Sequence, residues 1–460
     1  MISFPGRNDV IQRVYDHGQG HIFAFWDTLS DDERGRLLDD AGAIDFALLD
    51  RLYRQARQSA PPTMGFEPAP YIPLPIDEEG RRSFMEAREA GIAVIRKGAV
   101  AAFVVAGGQG SRLGFDGPKG LFRAGPVSGK SLFQIHAEKI LKSSEKYGVR
   151  IPWLIMTSHA NHEDTVSYLS ENSRFGLDTS DVYVFPQGMI PSLDTEGKLI
   201  LETPSSLFKN PDGHGGSLGA LADSGVLRAM RERGIEIISY FQVDNPLVSI
   251  IDPVFIGFHS LRGADISSKG LMKAYPGEKI GVFARFDNGA IGVVEYSDLP
   301  EDLQNQRDAR GALRFCMGSI AIHLFGVGFL ESITGGSALS LPFHVARKKI
   351  GAYTGNGTTE IDGYKFEKFV FDALPLTEKN IVLETRREEE FAPIKNPSGV
   401  DSVESARGLM DALARSWLRE RGIAVPASVR TIEISPLLAL EPGDLPASTS
   451  VPDKELVYLE

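Results

Sequence analysis

The feature that most constrains the fold is a short apolar run that ends in glycines. Residues 99–108 read AVAAFVVAGG, and QGSRLGFDGPKG follows at once. A strand buried on both faces is apolar throughout, whereas a strand with one solvated face alternates with polar residues. The run therefore predicts a central strand of a largely parallel sheet. Glycines at its carboxyl end allow backbone N–H groups to approach a phosphate or a base without obstruction by Cβ atoms.

Other apolar runs alternate with helical patterns along the chain. IPWLIMT, DVYVFPQ and IEIISYFQVDN each end in polar residues, and amphipathic stretches separate them. This alternation predicts an α/β fold with a doubly wound, mixed but mostly parallel sheet, in the Rossmann-like manner. Shorter runs between residues 265 and 325 predict an antiparallel extension. Ligands of such sheets bind beyond the carboxyl ends of the strands, where GGQG, PQGM and VDN fall.

The sequence also suggests three regions. Residues 1–97 form a predicted N-terminal helical region, which includes a capping box at Ser30–Glu33 and an extended, proline-rich stretch at 60–75. Residues 98–385 form the predicted catalytic domain, and residues 386–460 form a small C-terminal lobe. At 460 residues the chain is long enough for such a division.

Charge and composition exclude several classes of partner. Lys and Arg number 49 against 61 Asp and Glu, a formal charge of −12, so we expect no nucleic-acid binding, which needs a basic face. No apolar run approaches the roughly 20 residues that cross a bilayer. MISFPGRNDVIQ at the start lacks the pattern of a signal peptide, and Cys316 is the only cysteine. We therefore expect a cytoplasmic protein without membrane association, and we make no prediction of its oligomeric state.

Two familiar glycine-loop functions do not match. A P-loop requires GxxxxGK followed by Ser or Thr, and the loop after the first strand has no such run. A dinucleotide fingerprint requires GxGxxG, but Gly108-Gln109-Gly110 is not followed by a third glycine at the required spacing. The loop therefore favours neither a γ-phosphate hydrolase nor an NAD enzyme.

Seven further motifs follow the loop AGGQGSRLGFDGPKG along the chain. They are FPQGM (185–189), PDGHGG (211–216), VDN (243–245), VVEYS (293–297), LPFH (341–344), KFVFD (368–372) and FAPIKN (391–396). In these eight motifs and in their order the chain resembles the UDP-sugar pyrophosphorylases, in particular the eukaryotic-type UDP-N-acetylhexosamine pyrophosphorylases. Eight ordered motifs over about 300 residues are far more specific than any one of them.

The resemblance implies an attack by a sugar 1-phosphate oxygen on the α-phosphorus of UTP, without a covalent enzyme intermediate. By resemblance, Ala106, Gly107, Gly108 and Gln187 bind the nucleotide, with the Gln187 amide on the imide edge of uracil. Gly213 is expected to let the backbone approach the same nucleotide. Taken alone, a glutamine at a strand end is usually just solvated.

The expected catalytic residues are Arg112, Lys119, Lys395 and Asp244. The three cations are expected to bind phosphates, and Asp244 is expected to hold Mg²⁺, the only metal cofactor we predict. Taken alone, Lys395 also reads as a surface lysine and Asp244 as a helix cap or turn residue.

The expected sugar-binding residues are His214, Glu295, Ser319, Phe369 and Phe371. Two of them depart from the N-acetylhexosamine pattern, because His214 and Ser319 stand where the family usually has Asn. His214 is closer to the glucose-type relatives, and a Ser hydroxyl reaches less far than an Asn amide. Without the resemblance, Glu295 reads equally as a sheet-edge residue and the two phenylalanines as core.

Three functions follow from these patterns. The first is a uridylyltransferase that joins UTP to a sugar 1-phosphate, with N-acetylglucosamine 1-phosphate as the leading substrate and glucose 1-phosphate, or a broad range of sugars, as the alternative. The second is an inactive nucleotide-sugar sensor, disfavoured because a sensor has little need of the full set of phosphate-binding cations. The third, an NAD or ATP enzyme of the same fold class, lacks its fingerprints.

Overall fold

A computed structural model describes residues 2–58, 65–334 and 341–460. Within these ranges the α-helices, in chain order, are α1 (Asn8–Asp16), α2 (Asp31–Gly42), α3 (Phe46–Arg57), α4 (Glu78–Arg96), α5 (Leu132–Tyr147), α6 (His162–Glu171), α7 (Gly216–Asp223), α8 (Val226–Glu232), α9 (Pro253–Leu261), α10 (Glu301–Asn305), α11 (Val327–Thr334), α12 (Arg387–Glu390) and α13 (Val403–Glu420).

The strands of the same ranges are β1 (Phe66–Pro68), β2 (Val100–Val105), β3 (Trp153–Thr157), β4 (Val182–Pro186), β5 (Met189–Pro191), β6 (Leu193–Asp194), β7 (Leu201–Thr203), β8 (Ser206–Leu207), β9 (Lys209–Pro211), β10 (Ile237–Gln242), β11 (Ile266–Met272), β12 (Val282–Phe286), β13 (Ile291–Val294), β14 (Met317–Gly326), β15 (His344–Tyr353), β16 (Thr358–Glu367), β17 (Asn380–Thr385), β18 (Thr431–Ile434) and β19 (Leu456–Leu459).

The chain forms two compact units, each assembled from separate segments. Unit 1 contains the described parts of Met1–Thr63, Gly188–Gly216 and Leu341–Val370, and unit 2 contains those of Met64–Gln187, Ser217–Ser340 and Phe371–Glu460. The division at 1–97, 98–385 and 386–460 stays a prediction.

Unit 2 is built on a ten-stranded mixed sheet, which confirms the predicted fold class. Its main path runs β1–β12–β14–β10–β2–β3–β4, while β11 pairs with β14 and β17, and β13 pairs with β12. The run β10–β2–β3–β4 is parallel, and β14 joins it antiparallel to β10. The apolar run that begins at Ala99 forms the buried β2 at the middle of the parallel part. The carboxyl ends of β2, β3, β4 and β10 therefore lie along one edge of the sheet.

Helix α4 packs against α9 with unusually close backbones. A Cβ atom added to Gly91 of α4 would lie 1.8 Å from the carbonyl oxygen of Pro253, and one added to Gly257 of α9 would lie 1.6 Å from that of Ala87. Only glycine fits at both positions, so α4 belongs to the packing of unit 2.

The C-terminal residues of unit 2 have a small core of their own. Helix α13 begins at a capping box formed by Ser402 and Ser405, and its Leu418 packs with Ile432 of β18 and Val457 of β19. Strands β18 and β19 pair in parallel.

Unit 1 combines α1, α2 and α3 with the three-stranded sheet β15–β16–β6. The predicted capping box of α2 is confirmed, since the Ser30 and Glu33 side chains each accept from the other's backbone N–H. The core of unit 1 is a separate cluster that includes Val14, Leu37 and Phe366, all fully buried.

Candidate functional site

The glycine-rich loop after β2 folds back on itself. The Gly110 N–H donates to the Gly117 carbonyl oxygen at 2.9 Å, and the Lys119 N–H donates to the Gly108 oxygen at 3.0 Å. This return brings Lys119 beside Gly108, although eleven positions separate them in the sequence. Arg112 lies exposed in the short 3₁₀ turn Ser111–Leu113 of the same loop.

Gln187 packs directly against Gly107. It follows β4, where its backbone N–H donates to the Thr157 oxygen at 2.8 Å, and its side chain is almost fully buried. A Cβ atom on Gly107 would lie 2.5 Å from Gln187 Oε1, so only glycine admits the amide at this distance. A Cβ atom on Gly108, by contrast, would meet nothing within 4 Å. The residues predicted to bind the base are thus adjacent, and the backbone at Gly108 faces open space.

Asn161 supports this loop, and no sequence pattern marked it. It is fully buried just before α6, and its Nδ2 donates to the Ala106 oxygen at 3.0 Å and to the Gly108 oxygen at 3.3 Å. Its Oδ1 accepts from the Ser158 N–H at 2.8 Å. From sequence it reads only as the start of a helix.

Lys119 and Asp244 form an ion pair at the sheet edge. Asp244 follows β10, and its Oδ2 lies 3.3 Å from Lys119 Nζ, with the side chains 10% and 17% exposed. Both side chains are therefore largely shielded from water, and electrostatic attraction is stronger in such a place than at a free surface.

The segment that carries Lys395 is tied to the end of β10. The Ile394 N–H donates to the backbone carbonyl oxygen of Asp244 at 2.9 Å, and the Ala392 N–H donates to Asn245 Oδ1 at 3.0 Å. Asn245 Nδ2 in turn donates to the backbone carbonyl oxygen of Glu390 at 2.7 Å. The VDN and FAPIKN motifs are therefore joined by hydrogen bonds, and the position of Lys395 depends on them.

A buried ionic cluster lies behind this junction. Lys269 is 1% exposed, and its ammonium group contacts the carboxylates of Glu390 and Asp252, the latter at 2.7 Å. Burial lowers the pKa of Lys269, but attraction to the two carboxylates outweighs it and raises the pKa above its ordinary value. Glu390 Oε2 also accepts from the Ser249 N–H at 3.0 Å. The sequence analysis missed this cluster because Lys269 lies in an ordinary strand pattern.

A cavity of about 400 Å³ brings four of the predicted residues together: Asp244, Glu295, Ser319 and Lys395. The Ser319 N–H of β14 donates to the Gly281 oxygen at 2.8 Å. A Cβ atom on Gly281 would lie 3.2 Å from Glu295 Oε1, so the Glu295 carboxylate sits close to that backbone. Polar side chains of both signs converge on a space large enough for a sugar.

Asp401 lines the same cavity and was not predicted. Its carbonyl oxygen accepts from the Lys395 and Asn396 N–H groups at 2.7 and 2.9 Å, and it holds a left-handed backbone with φ 57°. Burial raises the pKa of its carboxyl group, and the neighbouring Lys395 and Arg387 partly oppose that shift. No sequence signal separates it from other loop aspartates.

The remaining predicted residues are mostly in unit 1. Gly213 has φ 85°, and a Cβ atom there would lie 2.4 Å from the Lys368 oxygen, so glycine is required. The rings of His214 and Phe369 stack with centroids 5.4 Å apart, and His214 Nδ1 accepts from the Val370 N–H at 3.2 Å. Phe371 belongs to unit 2, half-buried in the 3₁₀ helix Val370–Leu376.

The described residues contain no cluster of three or more His, Cys, Asp or Glu side chains arranged to hold a metal ion. In the same part of the chain, no helix combines the length and the apolar character needed to cross a membrane.

Comparison with known proteins shows the family. The sequence pattern of the UTP–glucose-1-phosphate uridylyltransferase family matches residues 79–444. UDP-N-acetylglucosamine diphosphorylase 2 of Arabidopsis thaliana is 37% identical over 95% of this chain and 91% of its own length. Human UDP-N-acetylhexosamine pyrophosphorylase-like protein 1 is also 37% identical, over 90% and 86% respectively. The chain belongs to the UTP–glucose-1-phosphate uridylyltransferase family.

Solved structures agree with this assignment. The uridine diphosphate N-acetylglucosamine pyrophosphorylase of Trypanosoma brucei, solved with an inhibitor, superposes with a TM-score of 0.83 at 27% identity, over 100% of this chain and 99% of that one. A UDP-glucose pyrophosphorylase of Leishmania major reaches a TM-score of 0.61 at 16% identity, over 89% and 79%, and so shares the fold.

Proposed function

We propose that this uridylyltransferase joins UTP to N-acetylglucosamine 1-phosphate and releases pyrophosphate. The observation that carries the proposal is the Lys119–Asp244 pair, 3.3 Å apart. It connects the glycine-rich loop, through the bond from Lys119 to Gly108, with the cavity that Asp244 shares with Lys395. A base site, a phosphate-binding cation and a sugar-sized cavity thus follow one another in unit 2.

The reaction forms one bond and breaks one. A phosphate oxygen of the sugar 1-phosphate attacks the α-phosphorus of UTP, and the bond between the α-phosphorus and the bridging oxygen breaks, so pyrophosphate leaves with that oxygen. Catalysis of this kind depends on positioning and on neutralising charge in the transition state. No nucleophilic side chain of the protein is required.

The base is recognised at the Gly107–Gln187 contact. An amide presents one donor and one acceptor, which complement the N–H and C=O groups of uracil. Burial of Gln187 supports this role, because a buried amide with a fixed orientation discriminates better than a solvated one.

Lys119, Lys395 and Arg112 supply the positive charge for the phosphates. Lys119 pairs with Asp244, and Lys395 lines the same cavity as Asp244. Backbone bonds at Ile394 and Asp401 hold the segment that carries Lys395. Arg112 is exposed, so its guanidinium is available to a phosphate that enters from solvent.

Asp244 fits a magnesium ion that is shared with the substrates. Mg²⁺ in nucleotide enzymes is usually held by one or two carboxylates together with phosphates and waters, and not by a protein cage. The buried carboxylate of Asp244 beside the cavity matches that pattern. When bound, the ion would neutralise phosphate charge.

The sugar specificity rests on two lines of support that differ. Two of the similar proteins, from Arabidopsis thaliana and Trypanosoma brucei, are named for UDP-N-acetylglucosamine, which favours N-acetylglucosamine 1-phosphate. Ser319 lines the cavity with a short hydroxyl, which favours glucose 1-phosphate as the second candidate. For Glu295 we propose hydrogen bonds to sugar hydroxyls. The nucleotide role of Gly213 and the sugar roles of His214, Phe369 and Phe371 stay proposals from the resemblance.

We also propose a cytoplasmic location, where the single cysteine, Cys316, would remain a thiol.

The test is pyrophosphate release from UTP with Mg²⁺ and a panel of sugar 1-phosphates: N-acetylglucosamine, N-acetylgalactosamine, glucose and galactose. ATP, dTTP and GTP serve as nucleotide controls. Release with UTP and N-acetylglucosamine 1-phosphate is the expected result, and faster release with glucose 1-phosphate would establish the second candidate. UTP binding without release from any sugar would instead identify a sensor.

A further inference from the structure

Asn161 makes an unusual set of contacts for a residue at the start of a helix. It directly precedes α6, yet its side chain forms no capping bond to that helix. All three of its side-chain hydrogen bonds are directed elsewhere: to Ala106, to Gly108 and to Ser158. The side chain therefore does not cap its own helix, which is the ordinary function of an asparagine side chain at this position.

We propose that Asn161 is a positioning residue for UTP, whose side chain holds the glycine-rich loop in the conformation that receives the uracil and the phosphates. The inference rests on the proposed function and adds to it a residue that contacts the loop and not the nucleotide.

The geometry of the peptide bond explains how a side chain behind the loop orients donors in front of it. In a trans peptide the C=O and the following N–H point in opposite directions. Asn161 Nδ2 draws the carbonyl oxygens of Ala106 and Gly108 towards itself, at 3.0 and 3.3 Å. The N–H groups of Gly107 and Gln109 are therefore directed away from Asn161.

Glycines make such an anchor valuable. They lose more conformational freedom than any other residue when they are ordered, and that cost falls on ligand binding if the free loop is disordered. Two bonds to oxygens on either side of Gly107 restrict the loop before UTP arrives. Affinity for UTP is then higher than with a disordered loop, because the loop is already ordered before UTP binds.

The same anchor reaches the phosphate-binding cation. The Gly108 oxygen accepts both from Asn161 Nδ2 and from the Lys119 N–H, the latter at 3.0 Å. Asn161, Gly108 and Lys119 thus form a continuous chain of contacts that ends at Asp244. A change at Asn161 should disturb the base site and the placement of Lys119 together.

Only an amide satisfies all three partners. The two carbonyl oxygens require a donor group, and the Ser158 N–H requires an acceptor, which also settles which end of the amide is nitrogen. An Asp of the same shape would direct a carboxylate oxygen at two carbonyl oxygens. An Ala would remove the bonds to the buried Ala106 oxygen and Ser158 N–H, and would leave the Gly108 oxygen with the Lys119 N–H alone.

The experiment compares Asn161→Asp with Asn172→Asp by calorimetric UTP binding and steady-state kinetics. Asn172 is a matched control, since its Nδ2 donates to the Tyr168 oxygen at 2.8 Å on an exposed helix end. We expect Asn161→Asp to weaken UTP binding by about 10- to 100-fold, the effect of losing the two hydrogen bonds that Nδ2 donates. The KM for the sugar 1-phosphate and the properties of Asn172→Asp should change by less than about twofold.

The pH dependence separates positioning from a general loss of structure. At low pH the new carboxyl group takes up a proton and regains one donor, so the UTP defect of Asn161→Asp should shrink between pH 8 and pH 6. Asn161→Ala, which cannot regain a donor, should show a defect that does not shrink in this way. It also carries the binding test if Asn161→Asp does not fold.

Two results would overturn the inference. One is UTP binding by folded Asn161 variants that equals that of the unchanged protein. The other is an equal loss of affinity for both substrates without pH recovery, which would indicate ordinary structural damage. An unchanged protein that fails to bind UTP would refute the proposed function, and this inference with it.

Discussion

A single methyl group at Gly107 should separate nucleotide binding from the rest of the reaction. In Gly107→Ala the new Cβ would lie 2.5 Å from Gln187 Oε1, 3.4 Å from the Ser158 nitrogen and 3.5 Å from Met156 Cε. The last two distances are at or near ordinary contact, and the backbone at Gly107 is not left-handed. The clash is therefore confined to the Gln187 amide, which must move by about 1 Å to reach normal contact.

The magnitude follows from what that amide is proposed to do. An amide displaced by about 1 Å no longer reaches its partner groups at hydrogen-bond distance. Loss of one or two bonds to uracil costs about 1–3 kcal/mol, which weakens UTP binding by about 5- to 150-fold. The KM for the sugar 1-phosphate should stay within about twofold, because the cavity with Glu295 and Ser319 is not touched.

The assay is UTP titration by calorimetry, with thermal unfolding as a check on the fold. Gly408→Ala is the matched control: Gly408 lies on the exposed side of α13, and its added Cβ meets nothing within 4 Å. It should leave UTP binding unchanged and stabilise the helix by about 1 kcal/mol. UTP affinity of Gly107→Ala within twofold of the unchanged protein, in a folded sample, would refute the assignment of Gln187 to the base.

Three further predictions address charge, specificity and pH. Lys119→Ala should lower turnover at saturating substrate by about 10²- to 10³-fold, measured as pyrophosphate release, and unaltered turnover would remove its phosphate role. Ser319→Asn should raise the kcat/KM ratio of N-acetylglucosamine 1-phosphate to glucose 1-phosphate by about tenfold, since an amide can bond the acetamido group; a constant ratio would contradict this account of the cavity. Burial of His136 lowers its pKa to about 3, with repulsion from Lys139 adding to the shift. Below about pH 6.5 the unfolded chain binds a proton that the native protein does not, so the free energy of unfolding falls by about 1.4 kcal/mol per pH unit down to about pH 4. When the free energy of unfolding is measured by urea unfolding across this pH range, its pH dependence in His136→Gln should be shallower by about 1.4 kcal/mol per pH unit. An equal pH dependence in the two proteins would show that a group other than His136 titrates.

Local patterns predicted the elements that depend on neighbouring residues. Helix α4 spans Glu78–Arg96, within the predicted N-terminal helical region, and β2 spans Val100–Val105, within the apolar run at 99–108. The capping box at Ser30 was also predicted from the sequence and is present in the structure. Such features need only the spacing of residues within a few turns, because side chains three or four apart on a helix are neighbours.

Motif order predicted the family, which the comparisons confirm. The same motifs named Gly107, Gln187, Lys119 and Asp244, and in unit 2 the structure places Gln187 against Gly107 and pairs Lys119 with Asp244. The nucleotide-binding and catalytic roles of these residues stay predictions. Motifs succeed here because they consist of residues whose types the chemistry restricts, such as glycines at a close approach.

Residues that support the site were not predicted. Asn161 contacts Ala106 across 55 positions, and Asn245 contacts Glu390 across 145. Nothing near Asn161 in the sequence distinguishes it from other helix-start residues. The VDN motif includes Asn245 but does not indicate its bond to Glu390, since the fold of the sheet determines such partners.

The sequence by itself determined the alternation of strands, loops and helices, the family, and most of the residues proposed to contact the substrates. Each of these depends on residue type and local spacing. Only the tertiary structure decided that Lys119 returns to Gly108 and pairs with Asp244, that Glu390 is tied to Asn245, and that Asn161 anchors the loop. Those contacts join segments far apart in the chain, and they exist because a parallel sheet collects the carboxyl ends of separate strands at one edge.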